Sequence, residues 1–146
     1  MGVNVSTHDD LRVGDEIPAL RKGPVNRQRL VEWCAAENDY YPLHYDERVA
    51  AAMGLPGTPI QGTYKLALMG QVVTRWLAER GVLLGLSARY RGPNMEGEVL
   101  VARARIATIE ADGLATLEVW IEGPGGERTT DGIASVRIAS DAPPVV

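Results

Sequence analysis

The hydrophobic period of this chain changes at Gly81, and that change constrains the fold more than any other feature of the sequence. From about Thr63 to Arg80, the residues Leu66, Met69, Gly70, Val73 and Leu77 recur on one helical face, and Gly81 supplies a stop. After Gly81 the period is two, in "VLLGLSARYRG", "EVLVARARIATIEA", "LATLEVWIEG" and "ERTTDGIASVRIA". In the second run Leu100, Ala102, Ala104 and Ile106 alternate with Val99, Val101, Arg103 and Arg105. The separators "GPNMEG", "ADG" and "GPGG" make the four runs read as an antiparallel meander. A long helix with one apolar stripe and a sheet with one apolar face bury each other, so the fold class is α+β with the helix on one face of the sheet.

Shorter elements precede the long helix. "NRQRLVEWCAAEN" places Leu30, Val31, Cys34 and Ala35 on one face with Asn26 as N-cap, and Pro42 stops the helix near Asn38. Asp46 caps a second helix, "ERVAAAM", that ends at Gly54; "GLPGTPIQG" then reads as a loop. A further strand is expected near "GDEIPALRKGP". The first ten residues and "SDAPPVV" read as tails, which leaves one domain over 1–146, ordered from about 10 to 140.

Composition narrows the partners. With 45% hydrophobic and 23% charged residues the chain is that of one folded domain, and a net charge of -4 with no basic block offers no footprint for nucleic acid or an anionic membrane. Cys34 is the single cysteine, and with two histidines it makes no zinc-ligand spacing, so the chain reads as metal-free and cytoplasmic. The N-terminus lacks the pattern of a signal peptide, and Lys65, Arg75, Glu79 and Arg80 interrupt the apolar run after residue 64, so no membrane span is expected.

The chemistry is concentrated in "NDYYPLHYD". Asp39 and His44 are five residues apart with Pro42 forcing a bend between them, so a loop can aim both at one point. A carboxylate and an imidazole meeting on a water form an acid/base pair, the imidazole titrating near working pH. Taken alone, the spacing is common and reads as a turn residue and a packed histidine.

The surrounding stretch resembles the MaoC-like (R)-specific enoyl-CoA hydratases and dehydratases of the hot-dog fold. Asp39, Pro42, Leu43, His44 and Asp46 fit that family's motif, followed by "ERVAAAMGLPGTPIQGTYKLAL" with Ile60 and Gly62 in place, by "ARYRGPNMEGEVLVARARI" and by "DGIASVRI". The resemblance implies an antiparallel sheet wrapped around a long central helix, and reversible hydration of a 2-enoyl thioester, or dehydration of a 3-hydroxyacyl thioester, as in fatty acid metabolism. Asp39 and His44 are then the catalytic pair, and the Gly62 N–H is a donor to the thioester oxygen at a helix start, where unpaired N–H groups and the dipole favour an anion. No cofactor is implied. The implied partners are a CoA or acyl-carrier-protein thioester, and a second hot-dog subunit, identical or related, in a dimer.

Two positions depart from the family pattern: Tyr41 stands for an asparagine and Gln61 for a histidine. Together with Thr63 they are expected to contact substrate. Cys34 reads as a core thiol, Trp33, Trp76 and Trp120 as packing residues, and Arg89, Arg91, Arg103 and Arg105 as a solvated sheet face. Two alternatives accompany the hydratase reading: a hot-dog thioesterase, since one fold hosts both chemistries, and a non-catalytic thioester-binding subunit. Acyl chain length, carrier and direction of reaction are not encoded in any motif.

Overall fold

Helices in this chain start and stop on polar caps. In the computed structural model, which describes residues 10–139, α1 runs Arg27–Glu37 after Asn26, whose side chain accepts from the Arg29 N–H. Asn38 closes it in the left-handed region at φ 55°, where asparagine is better tolerated than most residues. Pro42–His44 forms a 3₁₀ turn, and α2, Glu47–Ala52, starts from Asp46, whose side chain accepts from the Arg48 N–H. The long helix α3 spans Gly62–Leu77.

The stop of α3 differs from expectation. Ala78, at φ 49°, turns the chain, and its N–H bonds the Thr74 carbonyl. Gly81 instead opens the next strand, where a Cβ would lie 2.4 Å from the Arg137 carbonyl oxygen. Close backbone approach, not helix capping, requires that glycine.

Five strands, β1 (Leu20–Lys22), β2 (Gly81–Tyr90), β3 (Leu100–Ile109), β4 (Leu114–Glu122) and β5 (Arg128–Ile138), form one antiparallel sheet in the order β1-β3-β4-β5-β2. The expected four-strand meander is therefore corrected: β3, β4 and β5 follow one another, but β2 pairs with β5 at the far edge. Residues 91–99 are too many for a hairpin turn. They cross one end of the sheet and are tied to the first turn of α3, where the Lys65 ammonium donates to the Gly92 carbonyl at 2.9 Å.

The sheet curls around α3, as a hot-dog fold. Met69, Val72, Val73 and Leu77 of the helix are buried against Leu100, Ala102, Ala104 and Ile106 of β3, Leu117, Val119 and Ile121 of β4, and Ala134, Val136 and Ile138 of β5. Each fully buried large aliphatic side chain contributes about 1.5–3 kcal/mol, so this interface dominates the stability of the helix. On the outer face Arg103 pairs with Glu122, while Arg105 and Arg128 share Glu118. Those arginines are committed to cross-strand pairs on a solvated face. Among the described residues edge strand β2 has no strand on its other side, and Val82 and Leu84 on it are 55% and 54% exposed.

Candidate active site

Proline and helix caps aim the candidate residues. The Asp39 N–H bonds back to the Cys34 carbonyl at 3.0 Å as Asn38 ends α1, which carries Asp39 out of the helix onto the surface. One carboxylate oxygen of Asp39 accepts from the Tyr41 N–H at 3.2 Å, and the other has no hydrogen-bond partner among the described residues. In the 3₁₀ turn that follows, Tyr45 N–H and Asp46 N–H both bond the Pro42 carbonyl, at 3.0 and 2.7 Å. The turn fixes His44 beside α2.

His44 is oriented by a backbone carbonyl. Its Nδ1 lies 2.8 Å from the Pro59 oxygen. A carbonyl oxygen only accepts, so Nδ1 carries the proton and Nε2 of the neutral ring keeps its lone pair. That is the tautomer a proton acceptor needs.

Pro59 is in turn held from the β2–β3 connection. Pro59 bridges Met95, Ile60 N–H bonds the Asn94 carbonyl at 2.8 Å, and Glu96 N–H bonds the Thr58 carbonyl at 2.9 Å. The Glu96 carboxylate accepts from the Thr58 hydroxyl and twice from Arg27, which also pairs with Glu47 of α2. Burial opposes ionisation of Glu96, but the Arg27 and Thr58 hydrogen bonds outweigh it and hold its carboxyl below the usual range. One arginine thus ties α1, α2 and the connection together around the histidine.

Asp46, the other acid of the motif, has a different task. Hydrogen bonds from the Arg48 side chain and N–H hold its carboxyl at about 2. It stays ionised as the cap of α2 and is spent there.

The head of α3 carries Gly62, the third candidate. The first bond of the helix is Lys65 N–H to the Gln61 carbonyl, so the N–H groups of Gly62, Thr63 and Tyr64 have no partner inside the helix. The ring of Tyr90, at the end of β2, lies on Gly62: a Cβ there would meet ring carbons at 2.9 to 3.1 Å. Burial pushes the Tyr90 phenol up, and the nearby Glu37 carboxylate adds to it.

The expected substrate contacts separate. Tyr41 is exposed, its hydroxyl on Met53 Sδ at 3.4 Å, and its ring stands edge-on to His44 with centroids 6.3 Å apart. The Thr63 hydroxyl accepts from Trp33 Nε1 and donates to Glu37. Gln61 does not join them: it is 1% exposed, and its amide nitrogen donates to the Leu30 carbonyl and Cys34 Sγ, inside the core. As an internal strut between α1 and α3 it is not open to substrate contact in this structure. Cys34 is buried there with it.

Three residues near the site carry no functional motif in the sequence, where Lys65 only interrupts an apolar run. Glu37 stands at the head of α3 with Oε1 buried and without a hydrogen-bond partner among the described residues, and Tyr90 covers Gly62. Lys65 is buried in the core. The spacing of Lys65, Met69 and Val72 already puts Lys65 on the buried face; Glu37 and Tyr90 leave no such mark.

The site is open. A groove of about 650 Å³ lies between residues 11–20 and the C-terminal half of α3, and a second of about 510 Å³ runs past Trp33 and Tyr64, but neither is lined by Asp39 or His44. Among the described residues no helix is long and apolar enough to cross a membrane.

A family model described as MaoC like domain matches residues 11–116. Among solved structures, the (R)-hydratase from A. caviae involved in PHA biosynthesis is 25% identical, with a TM-score of 0.81 over 88% of this chain and 97% of that one. R-hydratase PhaJ1 from Pseudomonas aeruginosa is 17% identical, with a TM-score of 0.82 over 96% of this chain and 95% of that one. The ChsH1-ChsH2 complex from Mycobacterium tuberculosis gives 19% identity and a TM-score of 0.78 over 87% of this chain and 98% of that one. No curated protein matches.

Proposed function

This chain belongs to the MaoC-like domain family, and we propose that within the hydratase/dehydratase chemistry of that family it adds water reversibly across the double bond of a 2-enoyl thioester, with Asp39 and His44 as the acid/base pair. The observation that carries the reading is the bond from His44 Nδ1 to the Pro59 carbonyl, which leaves Nε2 as an acceptor. A water held between Nε2 and the free Asp39 oxygen donates to both. As its oxygen bonds C3, the pair takes one proton from it and returns a proton to C2. Electron density from the broken double bond passes through the thioester oxygen, and the N–H of Gly62, at the positive end of α3, is the donor suited to it. The reverse sequence expels water from a 3-hydroxyacyl thioester.

The test is the ultraviolet absorbance of the conjugated thioester, followed over short, medium and bulky 2-enoyl-CoAs with a thiol reagent in parallel. Absorbance is expected to fall without thiol release. Thiol release would move the assignment to a thioesterase, and inertness toward every substrate to a binding subunit.

An exposed Asp39 and grooves that bypass His44 favour a site completed by a second chain. We assign that role to another copy of this chain or a related hot-dog subunit, joined through the open edge of β2 so that two sheets become one. A single charge on that edge then has a large effect. Leu84→Arg is expected to convert a dimer to a monomer in sedimentation, with loss of activity; unchanged sedimentation would exclude the edge as the interface.

A further inference from the structure

We propose that Lys65 is a positioning residue of this site: its buried ammonium locks the first turn of α3 to the β2–β3 connection and so fixes both Gly62 and the carbonyl that orients His44. The inference rests on the Asp39/His44 reading given above.

An ammonium in the core needs a reason, because an apolar side chain would fill the same place without losing water. Lys65 is 2% exposed, and its Nζ donates to the Gly92 carbonyl at 2.9 Å and to Asn94 Oδ1 at 3.2 Å. Asn94, fully buried, also accepts from the Thr129 hydroxyl at 2.6 Å and donates to the Glu98 carboxylate at 2.8 Å. One amide therefore links the cation to its counter-charge, and the Lys65 nitrogen and both polar side-chain atoms of Asn94 each have a partner. The ring of Tyr90 lies 5.8 Å from Nζ, within reach of a cation–π contact, and the same ring rests on Gly62.

The connection that Lys65 grips is the one that holds His44. Asn94 accepts from Ile60 N–H through its carbonyl, Met95 bridges Pro59, and Pro59 accepts from His44. From Nζ to the imidazole the path runs through three hydrogen bonds, joined by the covalent structure of Asn94 and of the Pro59–Ile60 backbone. Glu98 of the connection and Tyr90 of β2 are the titratable groups facing Lys65, with Glu37 beyond Tyr90; Thr129 of β5 and Asn94 are neutral.

Burial pulls the Lys65 ammonium down to about 8, against the charge of Glu98 that supports it. The clamp is thus charged at neutral pH and weakens as pH rises through about 8. Linkage gives stability the opposite sign: a depressed ammonium leaves the unfolded chain holding the extra proton between about 8 and the ordinary 10.5, so this group adds stability with rising pH there. Activity and stability are expected to part company on the alkaline side, which a merely structural lysine does not explain.

The experiment compares kcat against pH for the wild type, Lys65→Met and Glu98→Gln, and follows lysine and histidine side chains by NMR in the unsubstituted protein. The chain has two lysines, Lys22 and Lys65, and two histidines, His8 and His44, so each signal is assignable by one substitution. Expected are an alkaline fall in wild-type kcat, its absence in Lys65→Met together with about tenfold lower kcat and little change in KM, and its displacement to lower pH in Glu98→Gln. The His44 signal should move with the Lys65 titration. A Lys65 that titrates without moving His44, or an alkaline limb identical in all three proteins, would overturn the proposal. The NMR result stands even if no 2-enoyl thioester is hydrated, so failure of the clamp and failure of the hydratase reading are separable.

Discussion

Asp39→Asn is expected to lower enoyl-thioester hydration by about 10³-fold while leaving the fold intact. Its side chain is on the surface and makes one hydrogen bond, from the Tyr41 N–H, which the amide oxygen of asparagine also accepts. Asparagine keeps the geometry and removes the proton acceptor. A loss of rate with an unchanged melting temperature therefore reports chemistry. His44→Ala should cost a similar factor, but it also strips the Pro59 carbonyl of its partner, worth about 1 kcal/mol of stability. Thermal melts beside the rates separate the two effects. An Asp39→Asn protein with full activity would remove the catalytic pair from consideration.

Gly132→Ala is expected to have the largest effect on stability. Gly132 of β5 pairs with Ala88 of β2, and a Cβ on it would stand 1.8 Å from the Ser87 carbonyl oxygen and 2.9 Å from Met69 Cε. The first of these is backbone and cannot swing aside. Relief requires β2 to lift from β5 or α3 to shift, so a loss of about 3 kcal/mol is expected, read as a fall of roughly 10 °C in melting temperature. Gly85, on β2, is the control: a Cβ there meets nothing within 4 Å, and Gly85→Ala should melt near the wild type. Equal melting of the two variants would contradict the packing described for the β2–β5 pair.

These two sites mark what the sequence makes legible and what it leaves hidden. Asn26 and Asp46 announce the helix starts, and Pro42 the end of α1, because capping and proline sterics are local chemistry, settled within a few residues. The alternation in β3 likewise names its buried face in advance. The place of β2 is not local: nothing between Gly81 and Tyr90 says that its partner is β5 rather than β3. That pairing follows from the 91–99 connection folding over α3, a tertiary event. Gln61 illustrates the same limit within the site, since its neighbours Leu30 and Cys34 are distant in sequence. Asp39 and His44 stand out as candidates in the sequence because one loop carries both. The Pro59 carbonyl that selects the tautomer of His44 has no side-chain signature.

The central claim is addition of water at C3, and the fate of the water oxygen tests it most directly. The purified protein is incubated with a 2-enoyl-CoA in heavy-oxygen water, and the product is examined by mass spectrometry. One heavy oxygen on C3 of an intact 3-hydroxyacyl thioester, absent when Asp39→Asn replaces the wild type, is the expected result. Heavy oxygen in the carboxylate of a released acid, with the double bond retained, would contradict it.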